Sequence, residues 1–134
     1  MMPDSASEHP HVALLRRAHH AFYTNDFDAL RRLFSPDIRW HAHGQNKMAG
    51  SYVGQDQVFA HFGVMAGLVE EYASTPTDFL VSEHRVAMTA RVSARRGAQT
   101  LECDEISLWR VDGGRLVECW HIPLDSAAWD AFFS

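Results

Sequence analysis

Apolar positions recur at two periods along this chain, three to four residues in its first half and two residues in its second. From about His9 to Thr24, Val12, Leu15, His19 and Phe22 form the stripe of an amphipathic helix facing a core. Asn25-Asp26 breaks that helix. A second, short one is expected over Phe27 to Phe34, with Asp26 as N-cap and Leu30, Leu33 and Phe34 turned inward. Ser35-Pro36-Asp37 ends it, because the residue before a proline avoids the helical region. A strand from Ile38 to His43 then alternates Ile38, Trp40 and Ala42 with Arg39, His41 and His43. A polar loop fills Gly44 to Gly54. A third helix runs from Gln55 to Leu68 or Val69, with Val58, Phe59, Phe62, Met65 and Ala66 inside.

The rest of the chain has a period of two. Tyr72 to Ser82 carries Thr75, Thr77, Phe79 and Val81 on one face, and Arg85 to Arg95 puts Val86, Met88, Ala90, Val92 and Ala94 inside. Glu83-His84 and Arg96-Gly97 read as turns. Thr100 to Pro123, TLECDEISLWRVDGGRLVECWHIP, is a hairpin turning at Asp112-Gly113-Gly114, residues that accept the positive φ of a tight turn. A turn centred on Asp112 and Gly113 pairs Leu108 with Val117, Ile106 with Cys119 and Asp104 with His121 on the core face. Trp109–Leu116 and Glu105–Trp120 then fall on the other face. A slip of one residue would exchange the faces. A last helix, Ser126 to Phe133, docks Trp129, Phe132 and Phe133. Helices first and antiparallel strands after make an α+β domain, its sheet covered on one face by three N-terminal helices, with a short C-terminal helix.

Composition narrows the function classes. At 134 residues the chain is one domain, residues 1–134, with residues 1–10 expected as a tail. A net charge of −5 without a Lys/Arg run argues against nucleic acid. No apolar stretch approaches the ~20 residues of a membrane span, and MMPDSASEHPH lacks the layout of a signal peptide. Cys103 and Cys119, not opposed in that register, read as reduced, packed thiols, which together with the other signals suggests a cytoplasmic protein. Nine scattered histidines show no metal-ligand spacing, so neither metal nor other cofactor is expected.

Histidine, with an ordinary pKa near 6.5, is the side chain suited to giving and taking protons near neutrality. Asp104 beside His121 would be an acid–base pair, or else a cross-strand ion pair at the rim of the sheet. His41 and His43 lie on the face opposite Ile38, Trp40 and Ala42, so a bulge is needed to turn His41 inward, and His43 is either a solvent residue or a site residue. His19 sits on the helical stripe as a core histidine or a pocket wall. Phe59, Phe62 and Met65 belong to the core and border any pocket. Trp109, Leu116 and Trp120, on the presumed outer face, would need burial against a second copy of the chain.

Three stretches, FYTNDFDALRRLFSPDIRWHAHG, AGSYVGQDQVFAHF and DGGRLVECWHIPLD, resemble the SnoaL-like branch of the nuclear transport factor two–like superfamily, which also contains ketosteroid isomerase. The resemblance covers roughly Leu14 to Trp129. It implies a cone-shaped domain whose curved sheet wraps a hydrophobic pocket, in a homodimer built sheet to sheet, here through Trp109, Leu116 and Trp120. Members include polyketide cyclases, isomerases, dehydratases, epoxide hydrolases and non-catalytic binding modules. The isomerase's base position falls on Ala42 and its oxyanion donors near Ala18 and Ser107, so its own chemical groups are missing here. The implied function is a cofactor-independent cyclase, isomerase or dehydratase for a small hydrophobic carbonyl compound, with His41, Asp104, His121 and His43 as candidate catalytic groups. His19, Trp40, Tyr52, Phe59, Phe62, Met65 and Ile106 would line its pocket. A non-catalytic ligand-binding or dimeric scaffold of the same fold is the alternative.

Overall fold

The computed structural model describes residues 8–134; most of the expected N-terminal tail, residues 1–7, lies outside the described residues. Helix α1 (Pro10–Tyr23) places Pro10 in its first turn, where a missing N–H is harmless, and the ring of its N-cap His9 accepts from the His11 amide at 3.0 Å. Val12, Leu14, Leu15, Ala18 and Ala21 form its buried face. Asp26 caps α2 (Phe27–Leu33), accepting from the Ala29 amide at 3.1 Å. The chain then enters β1 (Phe34–Ala42) directly, four residues earlier than the alternation indicated. The stretch expected as loop contains β2 (Gly50–Val53), paired antiparallel with β1 so that Tyr52 faces Trp40. Four residues with almost no buried side chain leave no period to read. Helix α3 (Gln55–Leu68) follows, then β3 (Glu71–Val81), β4 (Arg85–Arg96), β5 (Gln99–Asp112), β6 (Arg115–Pro123) and α4 (Ser126–Phe132).

The strands form one curved, unclosed sheet in the order β2-β1-β6-β5-β4-β3. It is mixed, not wholly antiparallel as expected: β1 runs parallel to β6. That pairing follows from the crossover the intervening elements make, since β1 and β6 are neighbours in space but far apart in sequence.

The hairpin register differs from the expected one by two residues at the turn and three beyond it. Asp112 pairs with Arg115, so the turn residues are Gly113 and Gly114, at φ 58° and 75°. A type I′ turn needs positive φ at both central positions, which two glycines supply more cheaply than Asp-Gly. The pairing shifts again between Arg110 and Val111, where β6 carries an extra residue, and Ser107 then faces His121. The inner stripe of β5 is therefore Leu101, Cys103, Glu105, Ser107, Trp109 and Val111, all buried. Trp109 and Leu116, expected on a dimer face, are core residues. Asp104, Ile106 and Leu108 alternate to the outer face. A second irregularity, between Pro76 and Asp78, turns Tyr72, Ser74 and Pro76 to the same side as Phe79, so Thr75 and Thr77 point the other way.

Helices α1 to α3 cover one face of the sheet, and α4 packs on β5 and β6. The buried apolar side chains fall into two clusters. One gathers α1, α2 and the first half of α3 with Ile38, Val86, Met88, Trp109, Leu116 and Cys119. The other joins α4 and Met48 to Val92, Ala94, Leu101 and Cys103. The observed turn has a direct test. Gly114→Val should cost about 1–2 kcal/mol in urea unfolding, the cost of a side chain in left-handed backbone. A neutral or stabilising result would return Gly114 to a strand position and restore the other register.

Candidate functional site

Where the two clusters meet, every element crossing the seam places polar groups on its inner face. Strand β5 passes from Leu101 and Cys103 in one cluster to Trp109 and Val111 in the other through Glu105 and Ser107. Strand β3 contributes Ser74 between Tyr72 and Phe79, β6 contributes His121 after Cys119, and α3 contributes His61 beside Phe62. A cavity opens along this seam, with about 820 Å³ free of protein atoms when its open mouth is included. Its wall is mostly aromatic and aliphatic, with Trp40, Phe62, Met65, Trp109 and Trp129 among the lining side chains.

The polar focus is Glu105, only 4% exposed. The Tyr72 hydroxyl donates to its Oε1 at 3.3 Å, and His121 Nε2 lies 3.2 Å from the same oxygen. Oε2 has no hydrogen-bond partner among the described residues. Burial first, then the adjacent carboxylate, holds the Tyr72 phenol well above its ordinary pKa, so Tyr72 acts as a donor. The same two causes raise Tyr23. The His121 ring is boxed by Trp40, stacked at 6.2 Å between centroids, and Trp129 at 5.1 Å. Four buried groups at the seam have no partner in good hydrogen-bond geometry among the described residues: the indole N–H of Trp40 and of Trp109, and the hydroxyls of Ser74 and Ser107. Each such orphan costs about 1–3 kcal/mol unless something else satisfies it.

Two more histidines face the cavity. His19 Nε2 meets the Ser74 carbonyl at 3.0 Å, and burial outweighs that contact to lower its pKa. His61 is 6% exposed, and burial with the nearby His121 pushes its pKa down to about 4, so it is neutral at pH 7. One end of the cavity is held by the loop before β2. Asp130 on α4 accepts from the Gln45 amide at 3.0 Å and from Asn46 Nδ2 at 2.7 Å, and the Lys47 amide donates to the Phe133 carbonyl at 3.1 Å. These bonds set Met48, 2% exposed, into the wall. Gly44 belongs to this anchor because a Cβ there would collide with the Asp130 carboxylate.

Of the residues singled out from sequence, His121, His19, Trp40, Phe62 and Met65 line the cavity. Asp104 does not: it is exposed on the outer face, 3.3 Å from Arg91. The register change moved the carboxylate of the pair from Asp104 to Glu105. No bulge turns His41 inward. It stacks on Trp120 on the outer face and bonds Ser51 at 2.8 Å and Glu118 at 2.7 Å. Burial raises the Glu118 carboxyl, but His41 and Arg110 outweigh it and hold the pKa below the usual carboxylate value. His43 is exposed just past the end of β1. Ile106 pairs with Ile122 on the outer face. Tyr52 and Phe59 pack behind the wall, Tyr52 stacked on His61 at 4.2 Å with its hydroxyl donating to the Met48 carbonyl.

A family model for the SnoaL-like domain matches residues 15–119. The chain belongs to the SnoaL-like family. An uncharacterized protein of Mycobacterium tuberculosis, Rv0034, is 28% identical over 123 residues, spanning 90% of this chain and 94% of that protein. Among solved structures, Bal32a from a soil-derived mobile gene cassette superposes with a TM-score of 0.88 at 28% identity, covering 93% of this chain and 97% of that one. IdmH of Streptomyces antibioticus, proposed to be a polyketide cyclase, superposes with a TM-score of 0.75 at 19% identity over 93% and 98% of the two chains. At that identity the likeness is one of fold.

Within this SnoaL-like domain, sequence reasoning passed over Glu105, Tyr72, Ser74, Ser107 and His61. A signal for the first existed. From Leu101 to Val111 the odd positions are apolar except at Glu105 and Ser107, and a strand that places Trp109 inside must place Glu105 there too. His61 gives the site a measurable pH signature. Its folded pKa lies below the ordinary 6.5, so the unfolded chain takes up the proton first as pH falls. The stability from burying it neutral is complete above about pH 6.5 and is lost towards pH 4, on the order of 3 kcal/mol in all. His61→Phe should therefore unfold with a shallower loss of stability between pH 7 and pH 4.5 than the parent chain. Equal slopes in urea titrations would show that His61 is not buried neutral.

Proposed function

We propose that this SnoaL-like domain binds a small, mostly apolar carbonyl compound in the seam cavity and moves a proton on it without a cofactor, as a cyclase, isomerase or dehydratase does. The observation that carries the reading is Glu105: a buried carboxylate with one oxygen held by Tyr72 and His121 and the other unpartnered in the wall of an aromatic cavity. A carboxylate so placed accepts a proton from a carbon next to a carbonyl. His121, in contact with Oε1, relays that proton or returns it to a second position on the same molecule. The Tyr72 phenol donates throughout and keeps the carboxylate oriented. Aromatic walls exclude water and strengthen each of these interactions. The orphaned Ser107 hydroxyl and the Trp40 and Trp109 indoles are donors available to a carbonyl oxygen as it gains charge. The polyketide cyclisation proposed for IdmH is a reaction of this type.

The reading is tested without knowing the natural substrate. 2-Tetralone, an enolisable two-ring ketone, is incubated with the protein in deuterium oxide and its C1 hydrogens are followed by NMR. Wild-type protein should speed exchange over buffer, and Glu105→Gln should lose the acceleration by roughly 10²-fold or more. Exchange unaffected by Glu105→Gln would sink the carboxylate's role. Binding with no exchange by the wild type would make the domain a ligand holder of the same fold.

A second copy of the chain is proposed as the macromolecular partner, through a corrected surface. The outer face pairs Ile106 with Ile122 and Leu108 with Trp120, four apolar side chains side by side on β5 and β6. Trp120→Asp should convert a dimer to a monomer in multi-angle light scattering, while leaving the inner-face cavity intact. A wild-type chain that is monomeric at tens of micromolar would overturn this. No helix among the described residues is long and apolar enough to cross a membrane.

A further inference from the structure

The side chain at the seam with least structural justification is His61. It is buried, it lines the cavity, and no hydrogen bond to either ring nitrogen exists among the described residues. The other cavity histidines each have a contact, His19 with the Ser74 carbonyl and His121 with Glu105. His61 is nevertheless held firmly. Tyr52 stacks on it at 4.2 Å and 29°, and Tyr52 is fixed in turn by its bond to the Met48 carbonyl at 3.1 Å. Trp40 neighbours both of the unlike histidines, its centroid 6.1 Å from His61 and 6.2 Å from His121. An apolar ring of similar size would fill this position without leaving two ring nitrogens unbonded beside the cavity.

The charges of the wall add a second constraint. Among the described residues no Lys or Arg lines the cavity, and Glu105 is its one carboxylate. A ligand bearing a carboxylate or phosphate would bring a second negative charge into a buried site with no permanent cation to meet it.

Resting on the proposed binding of a carbonyl compound at Glu105, we propose that His61 is a second ligand-binding residue that hydrogen-bonds an oxygen of an uncharged, planar substrate from the helix side. The sheet side presents Glu105 and His121, and the helix side presents His61, with Trp40 adjacent to both histidines. The substrate class this selects is a neutral aromatic ketone or phenol with an oxygen function within reach of His61. A counterpart bearing an ionised carboxylate is rejected by Glu105.

The probes are 2-tetralone, its hydrocarbon counterpart tetralin, and 2-naphthoic acid as the anion, titrated against the fluorescence of the cavity tryptophans at pH 7. Wild-type protein should bind the ketone at least about tenfold more tightly than either of the others. His61→Phe should keep its affinity for tetralin and lose about tenfold for 2-tetralone, while its stability at pH 7 stays level or rises. His61→Gln, which keeps a donor and an acceptor, should recover part of the ketone affinity and guards against a misfolded Phe variant. Unchanged ketone binding in both variants, with the wild type still binding, overturns the role of His61 and leaves the carbonyl-binding reading standing. Tight binding of 2-naphthoic acid overturns the neutral-ligand selection. Failure of the wild type to bind any of the three overturns the proposed binding itself, and this inference with it.

Discussion

The structure depends on accommodating one buried carboxylate. Glu105 sits where two apolar clusters meet, and a buried carboxylate left without partners would cost several kcal/mol. Its two neighbours are supplied by two breaks in strand regularity. With Leu116 inward, strict alternation along β6 would send His121 outward, and the extra residue near Val117 reverses that. With Phe79 inward, strict alternation along β3 would send Tyr72 outward, and the irregularity at Pro76–Asp78 reverses that too. The bulges bring a histidine from the adjacent strand β6 and a phenol from β3, one strand beyond β4, to one oxygen of one carboxylate.

Those bulges make sense only if the seam does something other than hold the domain together. A core optimised for stability would join the two clusters with apolar side chains and satisfy every indole and hydroxyl it buried. Here the crossing residues are Ser74, Glu105, Ser107, His61 and His121, and four polar groups are left without partners among the described residues. Breaches of local consistency concentrated in one place are the expected mark of a functional site, with stability supplied on either side of it. The two flanking clusters are that supply. Leu15, Leu30, Phe34, Ile38 and Leu116 on one side and Phe133 and Val92 on the other are almost wholly enclosed.

Much of the scaffold was legible in the chain. The stripe of α1, the Asp26 cap, the extent of α3, the alternation of β4 and the docking of Trp129, Phe132 and Phe133 follow from periodicity and end signals, and the quoted stretches pointed to the SnoaL-like family. The site was less legible because strand faces depend on parity. Asp112-Gly113-Gly114 offers two turns, and nothing local to those three residues decides between them. The longer pattern does: Leu101, Cys103, Trp109 and Val111 outweigh Ile106 and Leu108 as an inner stripe. Bulges leave no comparable trace. Neither the residue inserted at Val117 nor the shift at Pro76 interrupts a hydrophobic run, so Tyr72 could be aimed correctly only in the folded sheet, and the inward face expected for His121 rested on a register the sheet does not have.

Two of the histidine–carboxylate contacts in this domain show why residue type alone does not locate a site. His41 with Glu118 is the shorter contact at 2.7 Å, and His121 with Glu105 is 3.2 Å. The outer pair has every remaining need met, Ser51 on the second imidazole nitrogen and Arg110 on the second carboxylate oxygen, and its arginine and histidine side chains reach solvent at 41% and 26% exposure. A pair so satisfied and so close to water has little capacity left for a ligand, and water screens what field it has. The inner pair is looser and incompletely satisfied, closed in by Trp40 and Trp129, with the second oxygen of Glu105 unclaimed. In a cavity walled by aromatic rings that unspent capacity is what a substrate proton meets, so the longer contact is the one placed to do chemistry.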